Sequence, residues 1–291
     1  MILESVRKNK ISSFFIVSLF IIVIMVGVYA VCMYNDLGIY SIPIALAFSL
    51  IPAIISYYNC DKMVLGINGA RPATREQDLE VSVILENLCI ASGLPKPKLY
   101  VIPDESPNAF ATGRNPENAV ICVTTGLLEK LDKYELEGVI AHEMSHIKNY
   151  DILLSTVVSV FVGLVVMLSD WFIRFSFRGK RRSNNDRGGA IIAIIAILFL
   201  ILSPIFAALM QLAISRRREF LADATAIEFT RNPDGLINAL IKISDDPNIL
   251  ARANKSTAHM FISNPFKDKK SDIWSTHPSI EKRIEALRNI K

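Results

Sequence analysis

The sequence predicts an integral membrane protein: α-helical transmembrane segments carrying an α+β domain with a small sheet. Three observations lead there. Hydrophobic residues make up 51% of the 291-residue chain and the mean hydropathy is +0.35, more apolar than a soluble domain of this size requires. The apolar residues are gathered into long uncharged runs, as a bilayer demands. Between and after those runs the patterning alternates between helical and strand periodicities, bounded by Gly, Pro and Asn turns.

The elements follow in order. Residues 11–34 (ISSFFIVSLFIIVIMVGVYAVCMY) and 37–60 (LGIYSIPIALAFSLIPAIISYYNC) carry no charge, and each is long enough to span a bilayer. Only Asn35 and Asp36 separate them, so 1–60 is an N-terminal transmembrane hairpin. The first run is longer than a typical signal-peptide core and a second follows at once, so it stays as an anchor. Residues 61–151 form the first part of the folded domain. Within it, Glu76–Ser92 reads as a helix ended by Gly93 and Pro95. KLYVI (98–102), NAFAT (108–112) and AVICVTT (119–125) read as strands. Asp132 with Glu135 three residues on is a capping box, opening a helix that contains AHEMSH (141–146).

Residues 152–215 form a second hydrophobic hairpin, with runs at about 152–173 and 188–215 around a basic linker, Arg174 to Arg187. As a helix, 152–169 alone measures roughly 27 Å, close to the hydrocarbon thickness of a bilayer. Residues 216–291 are polar again and complete the domain, with helix signals at 216–229, 233–244 and 278–290.

Composition also excludes. The net charge is +4 and the basic residues flank apolar runs, so nucleic-acid binding has no support. Cys32, Cys60, Cys89 and Cys122 form no CxxC pair, which removes thiolate metal sites and disulfide frameworks. No small-molecule cofactor is expected.

AHEMSH carries the chemistry. On a helix, His142 and His146 lie one turn apart on one face, so both imidazoles reach one ion. Zinc takes such nitrogens and keeps an open position for water in catalytic sites. Glu143 stands beside that position as general base. A third ligand is required, and three acids compete. Asp151, five residues past His146, is rotated off the ligand face and reads as a helix-end acid or one that supports a ligand. Asp234 lies in NPDG (232–235), which Asn232 and Pro233 explain as a helix start. Glu219 and Asp223, one turn apart in RRREFLADA (216–224), suit a ligand and a carboxylate that orients a ligand imidazole, although three neighbouring arginines equally suit a solvated helix. His277, before Pro278, is a candidate oxyanion donor or simply part of a helix start. His259 has no motif around it and reads as a surface or linker residue.

AHEMSH, EFLAD (219–223), NAFATG (108–113), VTTGLLEKL (123–131) and STHPSIEKRI (275–284) together resemble the M48 peptidases, over nearly the whole chain. The branch with two N-terminal membrane helices, the bacterial membrane heat-shock proteases, is the nearest in pattern. The resemblance implies a zincin-like fold of the gluzincin type, with one Zn2+ held by His142, His146 and Glu219, and Glu143 catalytic. It implies a zinc metalloendopeptidase that takes polypeptides, membrane proteins above all, in protein quality control and stress response. AVICVTT is then the edge strand on which an extended substrate adds, with Asn108 and Ala109 lining the cleft.

Two other functions fit less well. Relatives of this family in eukaryotes process prenylated CaaX tails, but are longer with more spans. A non-catalytic scaffold with a structural metal would need four protein ligands. Topology follows from charge. Arg7, Lys8 and Lys10 precede the first run and Lys62, Arg71 and Arg75 follow the second, so both ends face the cytoplasm. His146 and Glu219 flank the second hairpin and must meet at one ion, so it crosses twice or not at all. The expectation is a multi-pass protein of the cell (inner) membrane with a cytoplasmic catalytic domain.

Overall fold

In the computed structural model, helix α1 (Ile2–Tyr34) is followed by α2 (Ser41–Tyr58) and the short α3 (Cys60–Ile67). The structure describes residues 2–34, 36–161, 163, 216–266 and 278–290. Most of the second hydrophobic hairpin, its basic linker and His277 lie outside the described residues. Two helical stretches, Glu4–Ala30 and Gly38–Tyr58, are long and apolar enough to cross a membrane, and only 17% and 22% of their most apolar windows are buried. A core helix of a soluble protein would be mostly buried. Their outward faces carry Phe14, Phe15, Phe48 and Ile54, all exposed. On α2 the buried positions are Ser41, Ala45, Ser49, Ala53 and Ser56, a small residue at nearly every fourth place. Such a stripe lets two helix backbones approach closely where no hydrophobic effect drives them together.

The sheet has four strands: β1 (Arg71–Pro72), β2 (Lys98–Ile102), β3 (Ala109–Thr112) and β4 (Val120–Thr124). Their order is β1-β2-β4-β3, with β2 and β4 parallel and the other pairs antiparallel. The expectation that AVICVTT forms the edge strand is therefore corrected: β4 is an inner strand, and β3, from NAFAT, is the edge. Every residue of β4 is buried, the continuous apolar pattern of a strand covered on both faces.

Helix α4 (Arg75–Ser92) starts on the capping box of Thr74 and Gln77 and ends at left-handed Gly93. After β4 comes α5 (Thr125–Lys130), then α6 (Lys133–Lys148), which opens on the Asp132–Glu135 capping box. α6 is the spine of the domain. Leu136, Val139, Ile140, Met144 and Ile147 join the main core with residues of α4, the sheet, α8 (Arg216–Thr230) and α9 (Pro233–Asp245). The α6–α9 crossing depends on absent side chains. A Cβ at Gly138 would lie 2.7 Å from Leu236 N, and one at Gly235 would lie 2.5 Å from Tyr134 O.

α7 (Asp151–Phe161) follows α6 almost at once. Tyr150 between them sits at φ 58, a left-handed conformation that breaks helical continuity. α7 packs on α1 through Ile16, Leu154, Val157 and Phe161, and Phe20 stacks on Phe161 with centroids 4.2 Å apart. α10 (Ile280–Arg288) closes the domain.

Candidate metal centre

Helix α6 presents His142 and His146 from one face, and their Nε2 atoms lie 3.2 Å apart. From α8, Glu219 brings Oε2 to 3.7 Å from His142 Nε2 and Oε1 to 3.7 Å from His146 Nε2. Two ligand atoms on a tetrahedral zinc, each bonded at about 2.0–2.1 Å, are separated by roughly 3.3 Å. Taken one atom per residue, the three donors lie within 4.8 Å of one another, close to that spacing, and their N, N, O chemistry suits that ion. Glu143 adds a second sign of a missing partner. It is 1% exposed, and neither carboxylate oxygen has a hydrogen-bond partner among the described residues. Buried polar atoms without partners are rare and call for an explanation.

Each ligand imidazole is oriented from its far side. Asp223 Oδ1 lies 2.9 Å from His142 Nδ1, and Asp151 Oδ2 lies 3.0 Å from His146 Nδ1. A carboxylate accepting Nδ1–H fixes the tautomer that turns the Nε2 lone pair towards the ion. Asp223 sits where one turn of α8 puts it relative to Glu219. Asp151 reaches His146 because the chain reverses at left-handed Tyr150; on an unbroken helix its spacing would carry it away.

Asp223 is itself gripped by Arg283 of α10, which donates from Nη2 to Oδ1 at 2.6 Å and from Nε to Oδ2 at 2.8 Å. The Arg283 side chain is 0% exposed. It donates also to the Ile262 carbonyl at 3.2 Å and approaches Glu219 Oε2 at 3.7 Å. The sequence reading passed over this residue, the arginine of STHPSIEKRI.

The electrostatics follow from burial and these partners. Burial, with the nearby Arg283 charge, depresses the His142 pKa to about 4, against the pull of Asp223. Burial also opposes charge on His146, but the Asp151 hydrogen bond and the Glu219 carboxylate outweigh it and raise the pKa to about 9. Metal ligation needs the neutral imidazole, so binding would release that proton. Burial raises Glu143 to about 7, the range in which a carboxylate exchanges protons efficiently at neutral pH. Burial alone would raise Asp223, but the Arg283 guanidinium outweighs it and holds the carboxyl below its ordinary range.

Other predicted positions fall as follows. Ala111 of β3 lines the cavity with His142, Glu143, His146 and Glu219. Ala109 accepts a backbone hydrogen bond from Ile262 at 2.9 Å. Asn108 does not open onto the cavity; its amide is spent on the Ser263 backbone, Nδ2 donating to Ser263 O at 3.0 Å. It clamps the 261–263 segment over the edge strand. His259, expected at the surface, is buried and lines the same cavity. Asp234 is exposed on α9, and Asn232 caps that helix by accepting from Gly235 N. His277 lies outside the described residues.

Known proteins resemble this chain over most of its length. The sequence pattern of Peptidase family M48 matches residues 75–291. A "Protease HtpX homolog" of Dictyoglomus thermophilum is 44% identical over 285 residues, covering 98% of this chain and 93% of its own. A protein of the same description from Listeria monocytogenes is 42% identical over 305 residues and covers both chains fully. Among solved structures, the crystal structure of S. mikatae Ste24p superposes with a TM-score of 0.52 at 19% identity, a likeness of fold. It covers 94% of this chain, which in turn spans 62% of that one. With the pattern matched across the site and the full-length relatives together, the chain belongs to the M48 peptidase family, a family of metallopeptidases.

Proposed function

We propose that the protein is a membrane-anchored zinc endopeptidase that hydrolyses cytoplasmic portions of misfolded or damaged membrane proteins. The carrying observation is the convergence of His142 Nε2, His146 Nε2 and Glu219 within 4.8 Å of one another, beside a buried carboxylate without a partner among the described residues. Bound zinc would supply Lewis acidity to the scissile carbonyl and to the attacking water.

The chain's own residues do the rest. Glu143, near-neutral in pKa and shielded from solvent, takes the proton of the attacking water and delivers it to the departing amine. His142 and His146 hold fixed orientations through Asp223 and Asp151, so the donor set needs little rearrangement. Strand β3 is the edge of the sheet; its Ala109 carbonyl is already taken by Ile262 N, and Ala111 further along it borders the cavity. An extended polypeptide adds there by main-chain hydrogen bonds, reading backbone more than side chains, which suits varied substrates. Positive charges at both ends of the first hairpin support a cytoplasmic site in the cell (inner) membrane. The two exposed apolar helices support lipid as their surroundings.

The test is metal analysis of detergent-solubilised protein with a casein-cleavage assay, run beside Glu143→Gln. The expected result is one zinc per chain in both proteins and cleavage only in the unsubstituted one. Parental cleavage by Glu143→Gln, or full cleavage by metal-free protein, refutes the proposal.

A further inference from the structure

Helix α1 enters the polar part of the protein with two buried polar residues among those described, Asn9 and Ser13. Asn9 is 2% exposed, although the three charged residues around it, Arg7, Lys8 and Lys10, are open to solvent. Its Nδ2 donates to Asp151 Oδ1 at 2.7 Å and to the Asn149 carbonyl at 3.0 Å, so both amide hydrogens are used. The other oxygen of the same carboxylate, Oδ2, is the one that holds His146 Nδ1 at 3.0 Å. Lys10 adds its ammonium over the Tyr150 ring, 4.0 Å from the centroid. The first membrane helix therefore grips all three residues of the left-handed turn, and one of those contacts is a single carboxylate away from a zinc-ligand candidate.

We propose that Asn9 is a positioning residue of the metal site: by donating to Asp151 Oδ1 it fixes the carboxylate that orients His146. Arg218 Nε lies 3.7 Å from the same Oδ1, beyond hydrogen-bonding distance, and a carboxylate hydrogen-bonded at only one oxygen can swing about its Cβ–Cγ bond. Held at both, it presents Oδ2 in one direction and so holds one imidazole tautomer. The amide suits this place because it supplies hydrogen without charge, leaving the carboxylate its electrons for His146. In this arrangement α1 is part of the catalytic machinery as well as a tether. The mirror role at His142 belongs to Arg283, so supports for the two imidazoles come from opposite ends of the chain.

The inference rests on the zinc reading above, and metal analysis of the unsubstituted protein tests that reading first. With zinc bound, Asn9→Leu, which keeps size and removes the donor, is expected to weaken zinc at least tenfold in chelator competition, the lower bound for such supporting residues. kcat on casein should fall with KM within twofold, and the visible spectrum of the cobalt-substituted protein should shift. Placed on an Asp151→Asn background, the same change should cost no further zinc affinity. Phe20→Ala loosens α1 against α7 without touching Asp151 and should leave zinc affinity unchanged. If Asn9→Leu yields no folded protein, Asn9→Ser runs the same cycle. Unaltered zinc affinity in Asn9→Leu, additive losses in the double variant, or an equal loss in Phe20→Ala would each overturn the proposal while leaving the zinc reading intact.

Discussion

Replacing Arg283 by leucine isolates one buried interaction. The guanidinium is wholly enclosed, donates twice to Asp223 and once to the Ile262 carbonyl, and no solvent reaches it to compensate. Removing it leaves the Asp223 carboxylate in a dry site with only His142 as partner. Breaking a buried pair by deleting one member costs about 3–5 kcal/mol, because the survivor stays desolvated. At roughly 2–4 °C per kcal/mol for a domain of this size, the unfolding midpoint should fall by about 6–20 °C. The same change frees Asp223 to rotate, so zinc should loosen by about 10–100-fold. Arg283→Lys restores a charge but not the two-pronged geometry and should fall between. Lys282, next in sequence and exposed, is the control; Lys282→Leu should stay within about 0.5 kcal/mol. The assays are thermal melts in detergent at one scan rate, with and without zinc, and chelator competition. If Arg283→Leu melts with the control and keeps its metal, the buried guanidinium does not support the site.

Further outcomes follow from the same geometry. Glu143→Gln should retain zinc and lose about 10²–10⁴-fold in cleavage rate, measured on unfolded casein. Glu219→Ala removes one of the three proposed ligands and should release zinc on dialysis; undiminished metal content would return Asp151 or Asp234 as the third ligand. Gly235→Ala drives a methyl against the Tyr134 carbonyl, 2.5 Å from the ideal Cβ, and should destabilise by about 1–3 kcal/mol, read as a lower melting midpoint. A comparable alanine change at Gly66, where a Cβ meets nothing within 4 Å, should show no such penalty.

What the sequence revealed was local or periodic. The Asp132–Glu135 capping box, the one-turn spacing of His142 and His146, and the start of α9 at Asn232 each depend on residues a few places apart, and each appears where read. The edge strand was misplaced because both NAFAT and AVICVTT read as short strands, and pairing order is a long-range property. The absence of polar alternation in Val120–Thr124 was the available sign of an inner strand. Arg283 was overlooked because IEKRIEALR looks like a solvated helix. Yet Ile280, Ile284 and Leu287 mark its apolar stripe, and Arg283 falls on that stripe, the one hint of a buried charge. His259 and Asn9 carried no local signal. Their burial is decided by elements that lie far away along the chain.

The contact between Asn9 and Asp151 also sets a height. The uncharged run of α1 begins at Ile11, two residues or about 3 Å further along the helix axis. With α1 across a bilayer, the metal centre then lies at the lip of the lipid headgroups instead of out in bulk solvent. A polypeptide already tethered in the same leaflet meets the cleft by lateral diffusion in two dimensions. A freely soluble protein must unravel a tail long enough to graze the surface. Selection by altitude would spare most cytosolic proteins without any sequence preference in the cleft.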